Sequence, residues 1–203
     1  MSISSETHLV NNALLRIGAN TITDIETDGS HESNTMLQLY GPTRDSLLRQ
    51  HFWNFATKRV VLAENADTPD FEWAASYSLP ADFIRVKKLY DTDSNFTIEG
   101  DQLLTDQQSS LKLVYIARIT DVTAFDPLFT QVLILMLAIL AEPRIQGGAT
   151  SVDRLKMELK ELLLEAKIVD AQDGSAEQFA ITTFQNARFG TDFNDRWNIT
   201  DNG

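Results

Sequence analysis

Three histidines, 29 Asp and Glu, 17 Lys and Arg and no cysteine are the chemical material of this 203-residue chain. Without a thiol there is no disulfide, no thiolate nucleophile and no Cys-ligated zinc or iron–sulfur centre. His8, His31 and His51 are far apart in sequence and read as surface or packing histidines rather than metal ligands. The run from Asp91 through Asp93 and Asn95 copies the alternating oxygens that open a calcium loop. Phe96 stands where the sharp turn needs Gly, and Gln102 where the bidentate Glu belongs, so an acidic hairpin turn is expected there. Gly147-Gly148 has no Lys or outer Gly to cradle a phosphate. No serine has a histidine–acid neighbourhood in sequence. Carboxylate pairs for glycoside hydrolysis can be drawn in any chain this acidic, and none is singled out. The expectation is no catalytic residue, no metal and no cofactor.

Two segments carry a different kind of chemistry. Arg44, Arg49, His51, Phe52, Trp53, Phe55, Lys58 and Arg59 make one stretch both basic and aromatic. Such a mix stacks on bases and pairs with phosphates. Alternatively its rings plug a core while its cations reach water or a partner's carboxylates. A helical stripe that turns Phe52 and Phe55 inward favours the second use. Arg49, Lys58 and Arg59 are therefore candidate partner contacts. The formal net charge of -12 argues against a general nucleic-acid coat, which needs an excess of cations. The second segment is 171–203, which lacks a helical stripe yet holds Phe179, Phe184, Phe189, Phe193 and Trp197. A disordered tail is poor in aromatics. Each ring is worth about 1.5–3 kcal/mol when buried, so these five want a surface. Either they fold back on their own bundle, or they form an arm that docks on a neighbouring subunit or partner. The arm is the reading adopted, and the five rings join the candidate interface.

The elements that must hold these residues follow from periodicity. Leu9, Val10, Ala13, Leu14 and Ile17 predict a helix over 4–18, started by Ser4 or Ser5 and ended by Gly18. Met36, Leu37, Tyr40, Leu47, Leu48, Phe52 and Phe55 predict another over 33–57, kinked or broken at Gly41-Pro42. From about Val60 to Ala117 the period becomes two, with turn signals at 91–95, 100–101 and 109–110, which predicts an antiparallel meander. Helices are expected over 127–142 and 150–170. The second of these has a Val152, Leu155, Leu159, Leu162, Leu163, Ala166 and Val169 face and charge elsewhere. The apolar run 132–141 rises about 15 Å as a helix, half of a hydrocarbon core of about 30 Å. A buried helix is expected there, and no membrane partner. The N-terminus has no basic start and apolar run of a signal peptide, so a cytoplasmic location, or a structure assembled in the cytoplasm, is expected. The fold class is α+β: a bundle of about four helices (1–59 and 122–170), an inserted antiparallel β-meander (60–121) and an extended C-terminal arm (171–203).

An ordered series of short motifs then becomes visible. Asn11-x-Ala-Leu-x-x-Ile-Gly18 opens it, followed by Leu47-Leu-Arg49, Trp53-Asn-Phe-Ala56, Lys58-Arg59 and Trp73. Next come Tyr77-Ser-Leu-Pro-Ala-Asp-Phe-Ile-Arg-Val86, Ile98-Glu-Gly100, Leu103-Leu-Thr105, Val114-Tyr115, Thr120-Asp121 and Phe125-Asp-Pro-Leu-Phe129. In this order the chain resembles the tail tubular protein A family of short-tailed bacteriophages, the head-to-tail adaptors, over roughly residues 5–170. The resemblance implies a structural virion protein in the tail, assembled in the host cytoplasm. It implies a homo-oligomeric ring, twelve copies in that family, between the portal protein and the tail nozzle, with DNA passing through unbound. An acidic ring suits that passage, because it repels phosphates. A ring also needs two different complementary surfaces on each subunit. The rival from the enzyme class is a virion-associated, carboxylate-dependent glycan hydrolase, which needs two acids about 5–10 Å apart across a cleft. A second rival is a soluble regulatory binding module.

Overall fold

A computed structural model describes residues 3–90, 94–147 and 150–173, which form four helices and two three-stranded sheets in an α+β arrangement. Helix α1 (Glu6–Arg16) starts where Ser5 Oγ accepts from the His8 amide at 3.1 Å, and ends at Gly18, whose φ of 69° few other residues adopt. The loop after it is pinned by Asn11. Its side-chain amide donates to the Ile22 carbonyl and its oxygen accepts from the Ile22 amide, both at 2.8 Å.

Helix α2 (His31–Gln50) runs uninterrupted through Pro42. The carbonyl that Pro42 leaves without a donor belongs to Gln38, and both residues are exposed, so water takes it. The expected extension to residue 57 does not occur. His51 turns extended, Asn54–Ala56 forms one 3-10 turn, and a strand begins at Thr57. Trp53 is the physical reason. Its indole folds back to donate to the Leu47 carbonyl at 3.0 Å, satisfying an orphan acceptor of the last helical turn.

Helix α3 (Pro127–Ile145) packs against α1, α2 and α4 (Thr150–Gln172), and this central position explains why it is apolar nearly all round. Asp126 caps it by accepting from the Leu128 and Phe129 amides. Helix α3 is long and apolar enough to cross a membrane, and half of that apolar window is buried inside this fold. Helix α4 keeps Leu155, Leu159, Leu162 and Ala166 toward this core. The inward face continues to Asp170, which is buried, and not to Val169. The expectation that the rest of α4 is simply charged fails. Met157, Leu164 and Ile168 are 69%, 62% and 49% exposed, and the i, i+7, i+11 spacing makes them a second stripe opposite the first.

The strands are β1 (Thr57–Leu62), β2 (Ala75–Ser78), β3 (Phe83–Tyr90), β4 (Phe96–Glu99), β5 (Gln102–Thr105) and β6 (Leu111–Ala117). They are antiparallel, but the expected meander is corrected. One sheet has the order β1-β6-β3 and the other β2-β5-β4, so only β4 and β5 are neighbours in both sequence and space. The last strand inserts between the first and third because, of the three strands of its sheet, it carries the apolar residues for two buried faces, as β5 does in the other sheet. Leu111, Leu113 and Tyr115 meet Tyr77 and Leu103 of the second sheet, whereas Ile116 joins the helical core with Ile84. In β4 the alternation sits at an edge, and Phe96 and Ile98 remain 42% and 40% exposed rather than buried.

Candidate functional site

The sheet register decides which of the predicted interface cations stand together. In β1, Lys58 pairs with Tyr115 and Arg59 with Val114, so these neighbours point to opposite faces of the first sheet. Lys58 Nζ lies 2.7 Å from Asp82 Oδ2, and the Tyr115 hydroxyl donates to Asp82 Oδ1 at 2.9 Å. Burial alone would raise the Asp82 carboxyl, but the bonds from Lys58 and Tyr115 outweigh it and hold the group below its ordinary 3.8. Burial, with the Asp82 carboxylate beside it, pushes the Tyr115 hydroxyl up to about 12. Lys58 thus fastens the β2–β3 turn to the sheet.

Arg49 does similar work. Its guanidinium donates to the Ile84 carbonyl at 2.7 Å, while Arg85 donates to the Arg49 carbonyl at 3.2 Å and lies 4.3 Å from the Phe52 ring centre. The basic and aromatic stretch is therefore divided. Trp53 and Phe55 meet Phe129 edge-on at 5.2 and 4.9 Å inside the core. Arg44 is buried on Asp45, 2.9 Å away. His51 Nε2 lies 3.0 Å from Asp170 Oδ2, and the Asn54 amide donates to the other oxygen of that carboxylate at 2.9 Å. The buried end of α4 is thereby tied to the α2–β1 junction, a contact that one carboxylate among 29 did not announce.

All three predicted cations are exposed, but Arg49 and Lys58 are engaged by the Ile84 carbonyl and the Asp82 carboxylate, whereas Arg59 stands on a wider sheet face. Val61 and Arg59 on β1, Lys112 and Val114 on β6, and Lys88 and Tyr90 on β3 share one face by register. Near Ile84 and Ile116 that face is covered by the helices. Farther along it is not: Val61 is 61% and Tyr90 40% exposed. The result is an apolar patch flanked by Arg59 and Lys112, with Lys88 Nζ 4.8 Å from the centre of the Tyr90 ring. Sequence reasoning named Arg59 and missed the rest, because two of the three strands that make the face are far apart in sequence.

A second surface was also missed. The β1–β2 connection crosses the outer face of the second sheet, where the Asn65 side chain donates to Ser76 Oγ and Ser76 Oγ donates to the Asp67 carbonyl, both at 3.1 Å. Together they line a groove of about 640 Å³ whose wall includes Asp67, Asp70, Glu72 and Glu99. At its rim Phe71 is 80% exposed. The Trp73 amide donates to the Phe71 carbonyl at 2.9 Å, and Glu72 between them has φ of 70°, a tight three-residue turn. A large ring between two acids, in a loop with no buried place for it, was the available signal.

Phe179, Phe184, Phe189, Phe193 and Trp197 lie outside the described residues, as do the whole expected C-terminal arm beyond Asp173, Asp91 and Asp93 of the acidic turn, and Gly148. Among the described residues, no three His, Asp or Glu side chains converge as metal ligands. No protein-family model matches the chain, and a search of curated proteins returns no match.

Proposed function

We propose that this chain is a structural virion subunit, a head-to-tail adaptor whose ring joins the portal to the tail nozzle of a short-tailed bacteriophage and lines the DNA channel. The observation that carries the reading is the two-sided helix α4. One stripe is already used by the core, yet Met157, Leu164 and Ile168 offer a second apolar stripe to something outside. A monomer gains nothing from that, whereas a ring subunit must contact two neighbours. The ordered motif series over 5–170 supports the same reading. So does the net charge of -12, since a channel built from many acidic copies repels DNA and lets it slide. The work is done by shape and complementary surfaces, without a reaction. Copies of itself, a portal and a nozzle are the partners, and the tail of a particle assembled in the host cytoplasm is the place.

Electron microscopy of the purified chain, alone and mixed with the portal ring of the same virus, tests this. Closed rings stacked coaxially on the portal are the expected result. A species that stays monomeric in both samples overturns it.

A further inference from the structure

The two surfaces that the sequence did not reveal lie on opposite sides of the sheet pair. The Arg59, Val61, Tyr90 and Lys112 face belongs to the first sheet and points away from the second. The Phe71 loop lies on the outer face of the second sheet, over Ser76 and Ser78. Between them are the two sheets and their shared core of Leu103, Leu113, Tyr77 and Tyr115. Each surface has what the other lacks. The loop presents one large ring among Asp67, Asp70 and Glu72, and the sheet face presents Val61 and Tyr90 beside Arg59 and Lys112, with Lys88 over the Tyr90 ring. Two such surfaces on opposite sides cannot meet within one chain, but a head-to-tail step between copies can bring them together.

We infer that the Phe71 loop of one copy docks on the Arg59–Val61–Tyr90–Lys112 sheet face of the next copy, forming the repeating contact of the ring; this rests on the ring reading above. Phe71 is the anchor, because a single aromatic seated on an apolar floor carries most of the energy of such a contact. The acids around it set the register against the three cations and disfavour an acid-on-acid approach between copies. The tight turn at Glu72 holds the ring outward before contact, which lowers the ordering cost of docking.

The absence of cysteine makes the test clean. A full chain that keeps Phe71 and carries Thr68→Cys, in the same loop, with Val61→Cys is oxidised at the concentration at which rings form, with and without the portal. A control chain carries Thr68→Cys and Leu15→Cys, since Leu15 is as exposed as Val61 but lies on α1. The expected result is a ladder of disulfide-linked dimers, trimers and higher species. It should form at least about tenfold faster than in the control, because docked thiols have a much higher effective concentration. Equal rates in the two chains overturn the contact. Circular dichroism of each reduced variant checks the fold, and a charge-reversed pair gives a second readout. Arg59→Glu with Lys112→Glu should abolish assembly, and mixing with an Asp70→Lys, Glu72→Lys chain should restore dimers; no restoration also counts against the contact. The two readings fail separately. Rings on the portal without a fast ladder remove this interface and leave the adaptor, whereas a fast ladder of open filaments without rings keeps the interface and removes the adaptor.

Discussion

The helical side and the sheet side of this chain bury their apolar residues on different scales. The helical cluster runs without interruption from Leu9 on α1 through Trp53 and Phe129 to Ala166 on α4, taking in Ile84 and Ile116 from the first sheet. The sheet cluster is a thin layer: Leu62, Ala75, Tyr77, Leu103, Leu111, Leu113, Tyr115 and Ala117. Both sides also leave large apolar residues open to water, Met157, Leu164 and Ile168 along α4 and Val61, Phe71, Tyr90, Phe96 and Ile98 on or beside the sheets. A thin core between two small sheets leaves each outer face only partly covered, the first by the helices near Ile84 and Ile116 and the second by the β1–β2 connection. The helices hold the larger core, and both sides present apolar surface, α4 as a stripe and the sheets as faces and a loop.

The largest effect is expected where the helical cluster is broken. Trp53 is fully buried, donates to Leu47, and meets Phe129 and His51 edge-on. Trp53→Ala should cost about 3–5 kcal/mol, a large share of the 5–15 kcal/mol typical of a domain. In urea unfolding followed by the helical signal, the unfolding free energy should fall by that amount and the midpoint shift correspondingly to lower urea. A shift well under 1 kcal/mol would show that the α2–β1 junction is not part of the main core.

Next is the sheet cluster, where a polar change sharpens the contrast. The Tyr77 hydroxyl lies 2.6 Å from both the Gln107 and Ser109 carbonyls, and it also accepts from the Ser109 amide at 3.3 Å. Tyr77→Phe keeps the ring and removes the tie that closes the β5–β6 loop. The loss should be roughly 0.5–1.5 kcal/mol, the net worth of an ordinary hydrogen bond, because Ser109 is exposed and Gln107 half-buried so that water can take the freed groups. Amide exchange at Leu103, Leu111 and Leu113 should speed up, while Leu133 and Leu137 in α3 keep their protection. Equal acceleration in both places would mean that the helices and sheets open as one unit.

The same contrast explains what was legible beforehand. Helices declare themselves through contacts three and four residues apart, and Ser5, Gly18, Asp126 and Pro127 mark their ends locally. Four helices of an α+β fold were therefore readable, together with which face of α1 and α4 turns inward. The junction at 51–57 was not, because Phe52 and Phe55 keep helical spacing while Trp53 bends the chain for a tertiary reason. Strand order was not readable either. The run Leu111–Ala117 looks like one more alternating strand until Val114 and Ile116 turn out to be buried as well, which only a central strand requires. The candidate surfaces were the least legible part. Arg49 and Lys58 look like free cations in sequence, and only the fold supplies the Ile84 carbonyl and the Asp82 carboxylate that engage them.

The smallest effect belongs to that last pair and tests the sheet side alone. Asp82 titrates below 3.8 in the folded chain, so it favours folding at all pH values above its unfolded pKa. The contribution disappears as pH falls from about 4 through the lowered folded value. Tyr115, raised from 10.0 to about 12, acts in the opposite direction. Its neutral hydroxyl favours folding below pH 10, and this is lost as pH rises toward 12. Half of the Lys58 side chain is in water, so the ion pair should contribute no more than about 1 kcal/mol. Asp82→Asn removes the pair's charge while keeping its shape. The difference in melting temperature between this variant and the native chain, followed from pH 7 down to about pH 2, should shrink to nothing over the acid limb. A difference that stays constant into strong acid would show that shape and the Tyr115 hydrogen bond hold the turn, with the Lys58 charge adding nothing.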